Sequence, residues 1–294
     1  PGGPPKAPYD VTAHTLPLLF GVEVAAVHGE LPAAGSPIAA VPEPAYRVAG
    51  LSESAAKRIA IYRSHSASMD EGWTRWVFDV NKIPYASLAD REVRAGGLNR
   101  RFDVIVVPDQ SAGTLSRGLG SNYPDSLRGG LGPEGARALR EFAETGGTLL
   151  FFNESSLYAI EALGLPVKNV LAGMRQTEFY APGSILAVEP DRSHPAATGF
   201  TAPVPAVWFE DSPAFEATDS ARVRVVARYP AAGNPLLSGW LLGGERLNGK
   251  AAMVEVILGK GRAMLYGFRP QYRGQTMATQ PLIWGALRQA ELRP

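Results

Sequence analysis

Gly146-Gly147-Thr148-Leu149-Leu150-Phe151-Phe152-Asn153-Glu154-Ser155-Ser156 is the stretch that decides the fold. Two glycines end a helical pattern, an uninterrupted apolar run follows, and a polar corner opens the next helical pattern. A short apolar run between turn signals fits a strand buried on both faces. In an open parallel sheet, ligands sit just beyond the carboxyl ends of the strands. An enzyme of this architecture would keep its nucleophile at this corner. Here the corner is Asn153-Glu154-Ser155, and the whole chain has no cysteine.

The alternation extends in both directions. Upstream, Arg58–Tyr62 predicts a strand. Ser68-Met69-Asp70-Glu71 has capping-box spacing and opens a helix through Asn81, with Trp73, Trp76, Val77 and Val80 on one face. Pro84–Leu88 is a second strand, Ala89–Leu98 is weakly helical, and Asp103–Val107 is a third strand ending at Pro108-Asp109-Gln110. Residues 111 to 131 form a Gly- and Ser-rich loop, long enough to be functional or mobile. After Pro133 a helix spans Glu134–Thr145, with Leu139 and Phe142 inward.

Downstream, Ser155–Leu163 is helical and stopped by Gly164 and Pro166. Strands separated by helices predict an α/β fold, a flavodoxin-like open parallel sheet with helices on both faces. Residues 170 to 250 change to period two, at Ser184–Val188, Ala206–Phe209 and Val223–Ala227, a β-rich insertion or set of edge strands. Ala252–Leu258 and Arg262–Gly267 flank Gly259-Lys260-Gly261 as a hairpin, and a last helix covers Thr279–Glu291. Residues 1–50 are rich in Pro, Ala and Gly, and Pro32, Pro37, Pro42 and Pro44 mark a connector. They are expected to form a linker arm, and residues 51–294 the α/β domain.

Composition narrows the function. With 294 residues, 45% of them hydrophobic and 19% charged, a substantial core is available. The 29 basic and 28 acidic residues leave a charge of +1, so nothing draws the chain to nucleic acid or an anionic membrane. No apolar run approaches the ~18 residues that would span a bilayer. The opening Pro1-Gly2-Gly3-Pro4-Pro5, without an initiator Met or signal peptide, reads as part of something longer.

Residues 58 to 164 and 251 to 291 resemble the class I glutamine amidotransferase-like superfamily. In that family one strand-to-loop corner supplies oxyanion-hole amides and a later strand-to-helix corner carries a cysteine. Asp103–Gln110 matches the first and Leu149–Ser155 the second. More narrowly, Ser66–Trp76, Asp103–Gln110 and Gly267–Gln275 resemble the C-terminal domain behind the catalytic domain of large bacterial zinc carboxypeptidases of the carboxypeptidase A-like class. The segment Tyr9-Asp10-Val11-Thr12 resembles the link between the two parts.

The resemblance implies a non-catalytic accessory domain of a zinc metallocarboxypeptidase involved in proteolysis. Its partner would be an N-terminal zinc peptidase domain of the parent protein, and a secreted or periplasmic location follows. The departures bear on chemistry. Asn153 or Glu154 holds the nucleophile position. The H-x-x-E pair of a zinc site is not met, because His14, His28, His65 and His194 are followed at that spacing by Pro17, Leu31, Ser68 and Ala197. The zinc domain therefore lies outside this chain, in which no metal or cofactor is expected.

Three functions remain open. The chain contacts a partner or peptide as an accessory domain. Alternatively it is a small-molecule hydrolase or amidotransferase using the Asn153-Glu154-Ser155 corner, with Glu154 and Ser155 as the catalytic candidates. A serine nucleophile needs a base within reach, and none of the four histidines falls where this fold would bring it to the corner. The plainer account is a helix N-terminus, with Ser and Glu meeting free backbone N–H groups. Third, Arg269, Gln271, Tyr272 and Arg273, with Asp109, Gln110 and Asn153, form a polar set for a peptide or small anion. Asp70 and Glu71 are explained by capping, and His194 by a structural turn.

Overall fold

The computed structural model describes residues 15–24, 28–29 and 58–291. The Tyr9–Thr12 motif and the Pro32–Pro44 connector lie outside the described residues. Within the arm a short helix, α1 (Leu16–Phe20), is closed by Gly21 in the left-handed region. It docks on the body: Leu19 is buried against Ile185, Trp208 and Tyr272, and its carbonyl accepts from the Ala278 N–H at 2.9 Å.

The first half alternates strands and helices in the predicted order: β1 (Ile59–Arg63), α2 (Met69–Val80), β2 (Ala86–Ala89), α3 (Asp90–Arg94), β3 (Val104–Val107), α4 (Ala112–Arg117), α5 (Gly132–Glu144), β4 (Thr148–Phe152) and α6 (Ser155–Ala162). The second half is strand-rich: β5 (Val167–Asn169), β6 (Pro182–Ala187), β7 (Glu189–Pro190), β8 (Ala206–Glu210), β9 (Phe215–Ala217), β10 (Val223–Arg228), β11 (Leu236–Ser238), β12 (Ala251–Leu258) and β13 (Gly261–Tyr266), followed by α7 (Gln280–Glu291).

The main sheet runs β2-β1-β3-β4-β13-β12-β10-β7. Its first five strands are parallel, and β13 turns back antiparallel onto β12. That half is the flavodoxin-like arrangement the alternation predicts. All five residues of β4 are buried, and successive side chains enter opposite layers. Leu150 and Phe152 join the layer that includes Phe78 and Trp284. Leu149 and Phe151 join the layer of Leu139, Phe142 and Ala159. Burying each large apolar side chain contributes ~1.5–3 kcal/mol, so tertiary packing on both faces fixes this strand.

Three expectations change. The 111–131 segment is not a plain loop. It carries α4, whose first turn is capped by the Ser111 hydroxyl accepting from Thr114 N–H at 3.2 Å. Gly113 and Gly118 hid so short a helix. The buried face of α2 is Thr74, Val77 and Phe78, while Trp73, Trp76 and Val80 are exposed. The 170–250 region is more than an insertion. β10 and β7 extend the main sheet beyond β12, β9 attaches at Ala251, and only β11, β6 and β8 form a separate sheet.

Candidate functional site at the carboxyl edge of the sheet

Parallel register places the polar ends of three strands side by side. Val107 lies opposite Phe151, and Phe152 opposite Tyr266. The residues just past β3, β4 and β13 therefore converge, and they include Asp109, Asn153 and Arg269. Gly267 makes the last turn feasible, since a Cβ there would meet the Pro213 carbonyl at 2.3 Å.

Asp109 is the hub and is 7% exposed. One carboxyl oxygen accepts from Glu154 N–H at 3.0 Å. The other accepts from Asn153 Nδ2 at 3.2 Å and Arg269 Nε at 2.6 Å. Arg269 Nη1 also donates to Glu210 at 2.7 Å, and Asp70 lies 3.6 Å from Nε. Burial works against the arginine's charge, but Asp109, Asp70 and Glu210 outweigh it and raise its pKa further. Arg269 therefore serves as counterion to three carboxylates, with Nε and Nη1 engaged by Asp109 and Glu210.

The corner has the sharp strand-to-helix form of a nucleophile elbow. Asn153 sits there at φ 51°, a left-handed conformation that Asn tolerates better than most residues. Asn153, not Glu154, is the residue in the left-handed conformation at this corner. Its side chain is fully buried. Oδ1 accepts from the Ser212 hydroxyl at 2.6 Å while Nδ2 faces Asp109. Ser155 Oγ donates inward to the Val107 and Phe152 carbonyls at 3.0 and 2.8 Å, and Ser156 Oγ to Phe151 and Tyr266. Neither hydroxyl caps α6. Asp109, reaching from the neighbouring strand end, meets the Glu154 amide instead, which corrects the capping account of these serines.

The other expected residues spread outward. Gln271 is buried, with Nε2 on Asp70 Oδ1 at 3.2 Å. Tyr272 stacks on Trp208 at 4.2 Å between centroids. Arg273 is exposed, its guanidinium 5.1 Å from the Tyr272 ring. Gln110 belongs to a neighbouring cavity of about 310 Å³ between the ends of β1 and β3, where Nε2 donates to the Ser66 carbonyl at 3.2 Å. Strand order reverses between β1 and β3, so this hollow lies at the topological switch point. Half of the expected capping box forms: Ser68 Oγ accepts from Glu71 N–H at 3.2 Å, but the Glu71 side chain pairs with Arg75.

Sequence reasoning did not single out Glu210 and Ser212. The signal was present, because Glu210-Asp211-Ser212 follows the Ala206–Phe209 patch as directly as Asp109 follows β3. Nor is His194 remote from the last helix in space. Its Nε2 lies 3.1 Å from Glu255, which also accepts from Gln289 of α7. Among the described residues, no three His, Asp or Glu side chains are grouped to hold a metal ion, and no helix is long and apolar enough to cross a membrane.

Asp70 is the titrating member of the cluster. Burial pushes its carboxyl up to about 6, Asp109 and Glu210 add to the rise, and Arg269 opposes it. An acid raised in the folded state stabilises fully below its unfolded value, 3.8 here, and loses that contribution as pH rises through about 6. Asp70→Asn is therefore expected to gain ~1–2 kcal/mol at pH 7.5 and nothing near pH 4. Urea unfolding at the two pH values checks this, and an equal effect at both removes it.

Strand order and the strand-to-helix corners define a flavodoxin-like α/β fold with a largely parallel central sheet. No protein-family model matches the chain, and no curated protein matches it. Among solved structures it is similar to a cytoplasmic protein from Salmonella typhimurium (16% identity, 78% of this chain and 97% of that one, TM-score 0.46). A ThuA-like protein from Bacteroides uniformis is similar at 13% identity, 78% and 91% coverage, and TM-score 0.41. A β-galactosidase from Bacillus circulans follows at 11% identity and TM-score 0.44, where 77% of this chain spans only 30% of the enzyme.

These likenesses are too low to transfer any activity. The expectation of a secreted or periplasmic location is corrected. Two similar structures, matched over 97% of their own length, are described as cytoplasmic proteins, which conflicts with it.

Proposed function

We propose that the chain is a non-catalytic accessory domain serving a zinc metallocarboxypeptidase, where it contacts the peptidase domain or the peptide substrate. The observation that carries the non-catalytic part is the elbow itself. Asn153 replaces a nucleophile, its amide is held by Asp109 and Ser212, and the adjoining Ser155 hydroxyl is buried and donates into the sheet. A carboxamide has no labile proton to yield to a base and no thiolate to attack a carbonyl. The carboxypeptidase part rests on the Ser66–Trp76, Asp103–Gln110 and Gly267–Gln275 phrases.

Two measurements test the reading. The purified chain is expected to turn over no amide or ester in a broad panel, and Asn153→Cys is expected to remain inactive for want of a histidine at the corner. The gene upstream of this chain is expected to encode an H-x-x-E zinc pair with a distant histidine. Turnover that disappears in Glu154→Gln or Ser155→Ala overturns the first part; an upstream region without the zinc pair overturns the second.

A further inference from the structure

A second cavity, of about 220 Å³, opens beside the corner between α6 and the segments that flank β6 and β8. Its apolar wall is Leu157, Leu171, Met174, Phe179 and Phe209, and Asp211 and Ser212 stand among its lining. Glu154 lies one helical turn before Leu157, on the same face of α6.

The charges at this cavity are unbalanced. Among the described residues neither Glu154 nor Asp211 has an ion pair. Burial first, then Asp109 and Asp211, push the Glu154 carboxyl up, and Arg269 opposes them only weakly. That arginine is committed to Asp109 and Glu210. Asp211 is also held in place. Ser212, its neighbour, donates to Asn153 Oδ1 at 2.6 Å and to the Glu210 carbonyl at 3.0 Å. Two carboxylates without an ion pair therefore stand at a hollow whose lining mixes Leu157, Met174 and Phe209 with Asn169, Gln176 and Tyr180; Asp211 lines it directly and Glu154 stands one helical turn from its Leu157.

We propose that this cavity receives a lysine or arginine side chain of a peptide, its methylene stem against Leu157, Met174 and Phe209 and its cation at Glu154 and Asp211. Long basic side chains bury their stems on apolar surface while keeping the charged head at a polar rim, and a ring face nearby adds attraction. A bare metal ion would gain nothing from the apolar wall. An anionic ligand would meet repulsion. The inference rests on reading the cleft as a binding one and names the peptide chemistry it selects.

Calorimetric titration of the whole chain with Nα-acetyl-lysine amide and its neutral isostere Nα-acetyl-norleucine amide tests it. Lysine is expected to bind about tenfold tighter than norleucine, a preference that shrinks with added salt. It is expected to vanish in the Glu154→Gln/Asp211→Asn double variant. Asn accepts the left-handed backbone at 211 as readily as Asp, and circular dichroism confirms that the variant is folded. Equal affinity for the two amides, no binding of either, or a preference surviving in the double variant overturns the proposal. Absence of binding without turnover leaves the accessory-domain reading standing. Binding followed by hydrolysis of the amide overturns that reading alone.

Discussion

Arg269→Met is expected to lower folding stability by about 3–5 kcal/mol at pH 7.5, because it leaves Asp109 buried as an uncompensated charge. Asp109 bears most of that cost, its side chain being 5% exposed. The Glu210 side chain is 35% exposed, so water screens it and its share is discounted. Methionine keeps much of the side-chain volume, which separates lost charge from lost packing. The sign with pH follows from linkage. Without the guanidinium, the buried Asp70 carboxyl loses the charge that opposes its rise, a contribution that favours folding at low pH and penalises it as pH climbs. The gap between wild type and variant should therefore narrow towards pH 4 in urea unfolding. A loss below ~1 kcal/mol, or one independent of pH, would show that the cluster is not held by its one arginine.

A comparable loss is expected at Glu255, far from the cleft. This residue is fully buried in β12 and accepts from Gln289 at 2.8 Å and Arg262 at 2.9 Å, with His194 at 3.1 Å. It joins the last helix, the hairpin and the turn before β8. Glu255→Ala removes the acceptor from buried His194 and Gln289 and from partly buried Arg262, and is expected to cost about 3–5 kcal/mol. Burial alone would raise this carboxyl, but the His194 hydrogen bond and the charges of Arg262, His194 and Arg224 prevail and hold it below its usual value. A depressed acid stabilises above its unfolded value, 4.5 here, and the contribution fades as pH falls through the folded one. Glu255→Gln should therefore approach wild type in strong acid. Thermal melts from pH 7 to pH 3 check this, and a Glu255→Ala melt unchanged at pH 7 would contradict it.

Local pattern carried the parallel half of this molecule. The Thr148–Phe152 run, its flanking glycines and the strand-helix alternation are short-range signals, and they put Asp109, Asn153 and Arg269 just past strands, without showing that those strands lie side by side. It did not show that Asp109 accepts from the Glu154 amide or that Arg269 is paired with carboxylates, because both contacts join residues remote in sequence. Glu255 shows the same limit. Within Ala251–Leu258 it reads as an interruption of an apolar strand, and its partners come from three separate elements. For α2 the reason is different. Helical spacing gives a face but not its direction, and Thr74, Val77 and Phe78 turn inward instead.

The position of β13 has a kinetic consequence. Its residues Arg262 to Tyr266 complete β4 at Thr148 to Phe152, yet the whole 170–250 region is synthesised between them. Until the ribosome has passed the hairpin, β4 presents an apolar edge with unpaired backbone groups, the kind of template that invites pairing with another chain. Long-range parallel pairing of this sort is slow to form. The nascent protein is thus most vulnerable to aggregation in the interval before Arg269 reaches its carboxylates, and the cleft is among the last features to mature.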